Sequence, residues 1–198
     1  SSDGKLLMTL GTAGVAGTGP NEFNSPSAVL VAPSGDIFVA DGHGGDSNAR
    51  IVKFSSDGTF VTTWGKRGSA PGEFDTPHGL AMDSQGRLFV ADRENSRIQS
   101  FDQDGTFIDE WDQFGEPSGV FIDADDMIYV ADANSDDPTR RSKWSEGVRI
   151  GSAKDGVVTA FIEDPDQNGS QEGVAVDMNG VVYTSLTRGE ALRRYDRK

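Results

Sequence analysis

Two histidines, one arginine and a few carboxylates carry most of the chemistry open to this 198-residue chain. His43 and His78 are its only imidazoles. Two neutral imidazoles and a carboxylate form a legitimate donor set for zinc or iron. A zinc ion so held polarises a carbonyl or activates water. His78, His43 and Glu172 are the candidate metal ligands. Arg93 suits a ligand carboxylate, because its planar fork meets two oxygens at once. Asp41 and Asp92 are candidates for the same substrate-binding face, whereas Asp132 reads as a turn cap.

Other chemistries are excluded. The chain has no cysteine, so it has no thiolate nucleophile, disulfide framework or cysteine metal site. Ser nucleophile motifs are absent. The run from Gly11 to Gly17 is rich in glycine but lacks the Lys-Ser/Thr ending of a phosphate loop, and reads as a crossing between repeats. Eighteen Lys and Arg stand against 32 Asp and Glu, a formal charge of −14. That acidity argues against nucleic acid and against an anionic membrane surface. A small-molecule or peptide ligand, or a protein partner, is the expected company. No apolar run approaches the roughly 18 residues of a membrane helix, and Ser1-Ser2-Asp3-Gly4 is no signal peptide.

An internal repeat must position these side chains. A tract beginning at Ala28, Gly79, Gly119 and Gly173 recurs at offsets of 51, 40 and 54 residues. Each copy then continues into a second tract: Ile37-Phe38-Val39-Ala40-Asp41, Leu88-Phe89-Val90-Ala91-Asp92, Ile128-Tyr129-Val130-Ala131-Asp132 and Val181-Val182-Tyr183-Thr184-Ser185. Alternating runs such as Arg50–Phe54 and Arg97–Phe101 follow, each leading into an Asp-Gly hairpin turn and a further strand. Four antiparallel strands per repeat is the blade of an all-β propeller. The blades fall at about 26–65, 77–112, 117–162, and 171–198 together with 4–11, in one domain.

The last copy stops after Ala191–Tyr195, and residues 4–11 read as its missing fourth strand. The sequence therefore predicts four blades, with the N- and C-terminal strands closing the ring in one blade. A fragment of a six-bladed ring is the alternative. Propeller inner strands run one way through the channel, so His43, His78, Arg93 and Glu172 are expected at one mouth. Trp64 and Trp111 occupy matching positions and read as packing between blades.

Two further stretches stand outside this scheme. Asp164-Pro165-Asp166-Gln167-Asn168-Gly169 matches half of a calcium loop. Its twelfth position is Ala175 rather than Glu, so it reads as a turn-rich connection with calcium as a second reading. Residues 136–144 insert before the third strand of blade three and read as an exposed loop.

The tracts Asn48–Phe54, Trp64-Gly65, Pro77-His78-Gly79-Leu80-Ala81 and Ala91-Asp92-Arg93-Glu94-Asn95-Ser96-Arg97 resemble NHL-repeat propellers. They are most similar to the peptidyl-α-hydroxyglycine α-amidating lyase branch. The resemblance implies a six-bladed zinc enzyme with three zinc histidines. Such an enzyme splits a peptidyl-α-hydroxyglycine into an amide and glyoxylate. By that resemblance His78 matches the second zinc histidine, Arg93 an active-site arginine and Glu172 the place of the third histidine. His43 takes the place of a tyrosine and would serve as the base, so His43 and Arg93 are the implied catalytic residues. The two N-terminal blades, with the first histidine, have no counterpart. The resemblance favours a secreted or periplasmic setting. The expected function is a propeller binding a metal or small anionic ligand at His43, His78 and Arg93, without full lyase activity. Zinc-dependent lyase activity and a protein-interaction scaffold are the alternatives.

Overall fold

A computed structural model describes residues 3–135, 143–165 and 170–196. Among the described residues the fold is all-β apart from one 3-10 turn, Arg93–Asn95. Blade 1 comprises β1 (Pro26–Val31), β2 (Ile37–Asp41), β3 (Arg50–Phe54) and β4 (Phe60–Trp64). Blade 2 comprises β5 (Pro77–Met82), β6 (Leu88–Asp92), β7 (Arg97–Phe101) and β8 (Phe107–Trp111). Blade 3 comprises β9 (Pro117–Ile122), β10 (Met127–Asp132), β11 (Gly147–Ser152) and β12 (Val158–Glu163). Blade 4 holds β13 (Gln171–Val176), β14 (Val182–Leu186) and β15 (Ala191–Tyr195). Within each sheet, strands pair antiparallel in chain order. The four-bladed propeller expected from the repeat is therefore present, with four inner strands.

The closing strand is the correction. Blade 4 has three strands, and no ladder joins residues 4–11 to β15 among the described residues. Inner strands pack β1 on β5, β5 on β9 and β9 on β13, but β13 makes no comparable contact back to β1. Among the described residues, no ladder joins blade 4 to blade 1. Leu10 lies against the β3–β4 turn, where a Cβ on Gly58 would come within 3.2 Å of it. Trp64 lies against Gly105, and Trp111 against Gly156, in the same way. Residues 4–11 thus hold an outermost-strand position in front of blade 1, without the strand that would pair with them.

The core lies between blades. Phe38, Ala40 and Ile51 of blade 1 pack with Leu80, Leu88, Val90 and Phe101 of blade 2. Burying a side chain such as Phe38 contributes about 1.5–3 kcal/mol. A second, polar device repeats with the blades. Asp41 accepts from Arg50 Nε at 2.9 Å and from the Asn24 amide at 2.8 Å. Arg50 in turn donates to the carbonyls of Thr18 and Glu22. Asp92 accepts from Arg97 Nε at 2.9 Å and the Asp75 amide at 2.7 Å, while Arg97 reaches the carbonyls of Ser69, Ala70 and Glu73. Asp132 and Arg149 repeat the ion pair at 2.8 Å in blade 3. In blades 1 and 2 each pair satisfies carbonyl and amide groups of the crossing that enters the blade, whereas Arg149 donates to the Ser145 carbonyl in the loop before β11.

Candidate functional site

The four inner strands share one irregularity at the mouth of the channel. The β1–β2 register slips at Ser27, the β5–β6 register at His78-Gly79, the β9–β10 register at Ser118 and the β13–β14 register at Glu172. A bulge re-aims a side chain while the ladder continues on either side. Ser27, His78, Ser118 and Glu172 are equivalent in the repeat and ring the mouth. Glycines follow three of them. A Cβ on Gly79 would stand 2.5 Å from the Ser118 carbonyl oxygen, and one on Gly119 2.7 Å from that of Glu172. Neighbouring inner strands are therefore as close as bare backbone allows.

His78 is held between blades. Its Nδ1 lies 3.1 Å from the Ser118 carbonyl oxygen. A carbonyl only accepts, so Nδ1 carries the proton and donates. The neutral ring then presents a lone pair at Nε2. That nitrogen faces Glu172 Oε2 at 3.5 Å. Burial, with the Arg93 charge second, holds the His78 pKa below its ordinary value of 6.5, against the upward pull of Glu172. The neutral form is the one that ligates a metal, and a backbone carbonyl on the far nitrogen is the usual device for orienting such a ring.

Arg93 reaches the site by a different route. Its amide donates to the Thr76 carbonyl at 3.2 Å, and the 3-10 turn ends on Ser96 in the left-handed region. This pins Arg93 beside the start of β5. Its Nη1 lies 3.7 Å from Glu172 Oε1 and its Nε 3.5 Å from Glu94 Oε1. The Nε is buried without a hydrogen-bond acceptor.

His43 is exposed, in the β2–β3 loop, with its ring centroid 5.1 Å from that of His78. Its amide donates to Ser47 Oγ at 2.9 Å. The preceding Gly42 has φ +148° and leaves no room for a side chain, since a Cβ would fall 1.8 Å from the Asn48 carbonyl oxygen.

The structure thus gathers His43, His78, Arg93 and Glu172. It does not gather Asp41 and Asp92 with them as ligand groups. Both are fully buried, and their carboxylates are taken up by Arg50 and Asn48, and by Arg97, Asn95 and Gln99. They are clamps between blade and crossing, as Asp132 is. His78 is close to His43 and to Glu172 pairwise, yet among the described residues no three His, Asp or Glu side chains are grouped as a metal site. Residues 166–169 of the calcium-like stretch, and 136–142 of the insertion, lie outside the described residues. Asp164, at the head of that stretch, is buried and paired with Arg193. Sequence reasoning missed Ser118 and Ser27. The signal was present in the series Pro26-Ser27-Ala28, Pro77-His78-Gly79, Pro117-Ser118-Gly119 and Gln171-Glu172-Gly173, which sets all four residues at one repeat position.

With this geometry in hand, similarity to known proteins defines the class. Residues 74–101 match the NHL repeat. The protein is a β-propeller carrying an NHL repeat. Among curated proteins, it is 43% identical over 95 residues to NHL repeat-containing protein 3 of Homo sapiens, covering 47% of this chain and 27% of that one. It is 46% identical over 100 residues to the peptidylglycine alpha-amidating monooxygenase of Rattus norvegicus, covering 48% of this chain and 10% of that one. It is 38% identical over 101 residues to peptidyl-alpha-hydroxyglycine alpha-amidating lyase 1 of Drosophila melanogaster, covering 46% and 18%. The chain therefore matches about a quarter or less of these relatives' lengths. Among solved structures, a gluconolactonase of Xanthomonas campestris superimposes with a TM-score of 0.66 at 20% identity, over 98% of this chain and 62% of that one. The virginiamycin B lyase of Staphylococcus aureus gives 0.62 at 15% identity, over 89% and 56%. Those two likenesses concern the fold alone.

Proposed function

We propose that the mouth binds a divalent metal ion and, beside it, a small ligand bearing a carboxylate, without full lyase turnover. One observation carries the reading. A neutral imidazole and a carboxylate face each other at 3.5 Å, lone pair toward lone pair, with the far side of the ring committed to the Ser118 carbonyl. Two acceptors so placed repel unless a cation or a proton lies between them. Burial disfavours the proton on His78, which favours a cation. The donor set fits zinc, a borderline ion that takes imidazole and carboxylate. His78 and Glu172 would hold it, with exposed His43 nearest to add a third donor. When bound, the ion supplies Lewis-acid polarisation of a ligand carbonyl. Arg93 orients the ligand carboxylate, and its Glu94 and Glu172 neighbours keep it in place until the ligand arrives.

The test is a calorimetric zinc titration of tag-free protein beside His78→Ala. One site per chain, lost in the variant, supports the proposal; zinc binding unchanged in the variant contradicts it. The likeness to amidating lyases favours a second reading, cleavage of a peptidyl-α-hydroxyglycine. Glyoxylate release by the zinc-loaded protein, abolished by a chelator, would establish that reading over binding alone.

A further inference from the structure

Glu172 divides its carboxylate between two neighbours. Oε2 faces His78 Nε2 at 3.5 Å, and Oε1 faces Arg93 Nη1 at 3.7 Å. Both separations are longer than a good hydrogen bond, and the Glu172 side chain is 25% exposed. It is therefore free to turn toward either neighbour. The neighbours are not free to follow. His78 is tied through Nδ1 to the Ser118 carbonyl. Arg93 is tied through its backbone, with its amide on the Thr76 carbonyl and its own carbonyl accepting from the Ser96 amide at 2.9 Å. Its side chain is 11% exposed and has little room to swing. A carboxylate that turns toward an ion at His78 leaves Arg93 Nη1 behind.

Charge gives this movement a consequence. Without an ion, Glu94 and Glu172 flank the Arg93 guanidinium, and the neutral His78 ring adds no charge. Two carboxylates against one guanidinium leave one net negative charge, which repels an incoming anion. Asp92 and Asp75, on the adjoining segments, are paired with Arg97 and Arg67 and leave that balance unaltered. A divalent ion reverses it to one net positive charge. Arg93 also carries an unmet donor, because its Nε is buried without a hydrogen-bond acceptor. A ligand oxygen that satisfied it would remove a standing cost.

We propose that Glu172 couples the two halves of the mouth, so that a small carboxylate binds tightly at Arg93 only when a divalent ion has drawn Glu172 toward His78. The coupling rests on the metal reading above and adds an order of binding to it. Linkage makes the effect reciprocal, so the carboxylate strengthens ion binding by the same factor. Couplings between sites typically amount to about 5- to 150-fold. The ion-free protein thus refuses carboxylates that the ion-loaded protein accepts.

Calorimetry of the whole protein tests this, with zinc and glyoxylate as probes. Glyoxylate is titrated into metal-free protein, zinc-saturated protein and metal-free Glu172→Gln. Zinc should tighten glyoxylate binding to the unsubstituted protein at least about fivefold. Direct contact between glyoxylate and the ion would act in the same direction, so the variant carries the distinction. Metal-free Glu172→Gln has lost the competing charge and should bind glyoxylate at least about fivefold tighter than metal-free unsubstituted protein. Adding Arg93→Ala should abolish that gain. Glu172→Ala is the second variant, with the same gain expected, and circular dichroism reads the folding of each. No gain in either folded variant overturns the coupling and leaves the metal reading standing if zinc still binds the unsubstituted protein through His78. Equal glyoxylate affinity with and without zinc overturns the coupling as well. Failure of zinc to bind the unsubstituted protein overturns both.

Discussion

The His78 imidazole on β5 donates from Nδ1 to the carbonyl of Ser118 on β9, 3.1 Å away. One hydrogen bond therefore crosses between blades, fixes a tautomer and aims a lone pair at Glu172. The site is a property of the blade junction rather than of either blade.

Arg93 is the proposed partner of the ligand's charge. In zinc-loaded protein, Arg93→Ala should weaken binding of glyoxylate by about 10- to 100-fold, the range for a charge-assisted hydrogen bond of about 1.5–3 kcal/mol. Arg93→Lys should recover only part of this, since a point charge lacks the two-pronged geometry. Calorimetric titration reads both.

Arg97→Ala strips a buried carboxylate of its cation and leaves the Ser69, Ala70 and Glu73 carbonyls short of a donor. Urea melts should show a loss of about 3–5 kcal/mol, the range for breaking a buried pair from one side. The pH dependence has a definite sign. Burial raises Asp92 to about 6 from the ordinary 3.8, against the pull of Asn95, the Asp75 amide and Arg97. The folded state thus holds a proton that the unfolded chain releases. The Asp92 contribution to stability is full below pH 4 and is lost as pH rises through 6. Arg97→Ala should accordingly hurt more at pH 7 than at pH 5. Asp92→Asn should flatten the stability profile across that window.

Gly42→Ala tests the His43 loop. A Cβ at φ +148° would meet the Asn48 carbonyl oxygen at 1.8 Å, so the loop must open. A loss of about 1–3 kcal/mol in a thermal melt is expected, together with a changed His43 chemical shift and an unchanged His78 tautomer.

Much of this was legible before the fold was known. Period-2 runs such as Arg50–Phe54 and the Asp57-Gly58 turn announce strands and hairpins locally, and their recurrence announces blades. The shared mouth of His43, His78 and Glu172 follows from the same alignment. What stayed hidden depends on the angle between blades, which no local pattern encodes. Residues 4–11 carry a correct outer-strand signature, yet whether they reach β15 depends on the curvature accumulated over four blades. Asp41 and Asp92 misled because a carboxylate at a strand end looks alike whether it faces a ligand or a buried guanidinium. Only the crossing carbonyls around Arg50 and Arg97 decide between them. Ser118 escaped notice because its contribution to the site is a backbone oxygen.

Nitrogen-15 NMR of the two imidazoles, with and without zinc at pH 7, tests the central claim most directly. The account predicts His78 as the Nδ1–H tautomer in free protein, with the Nε2 resonance alone shifting when zinc is added and the Nδ1 proton kept. An Nε2–H tautomer, or an Nε2 resonance indifferent to saturating zinc, would contradict it.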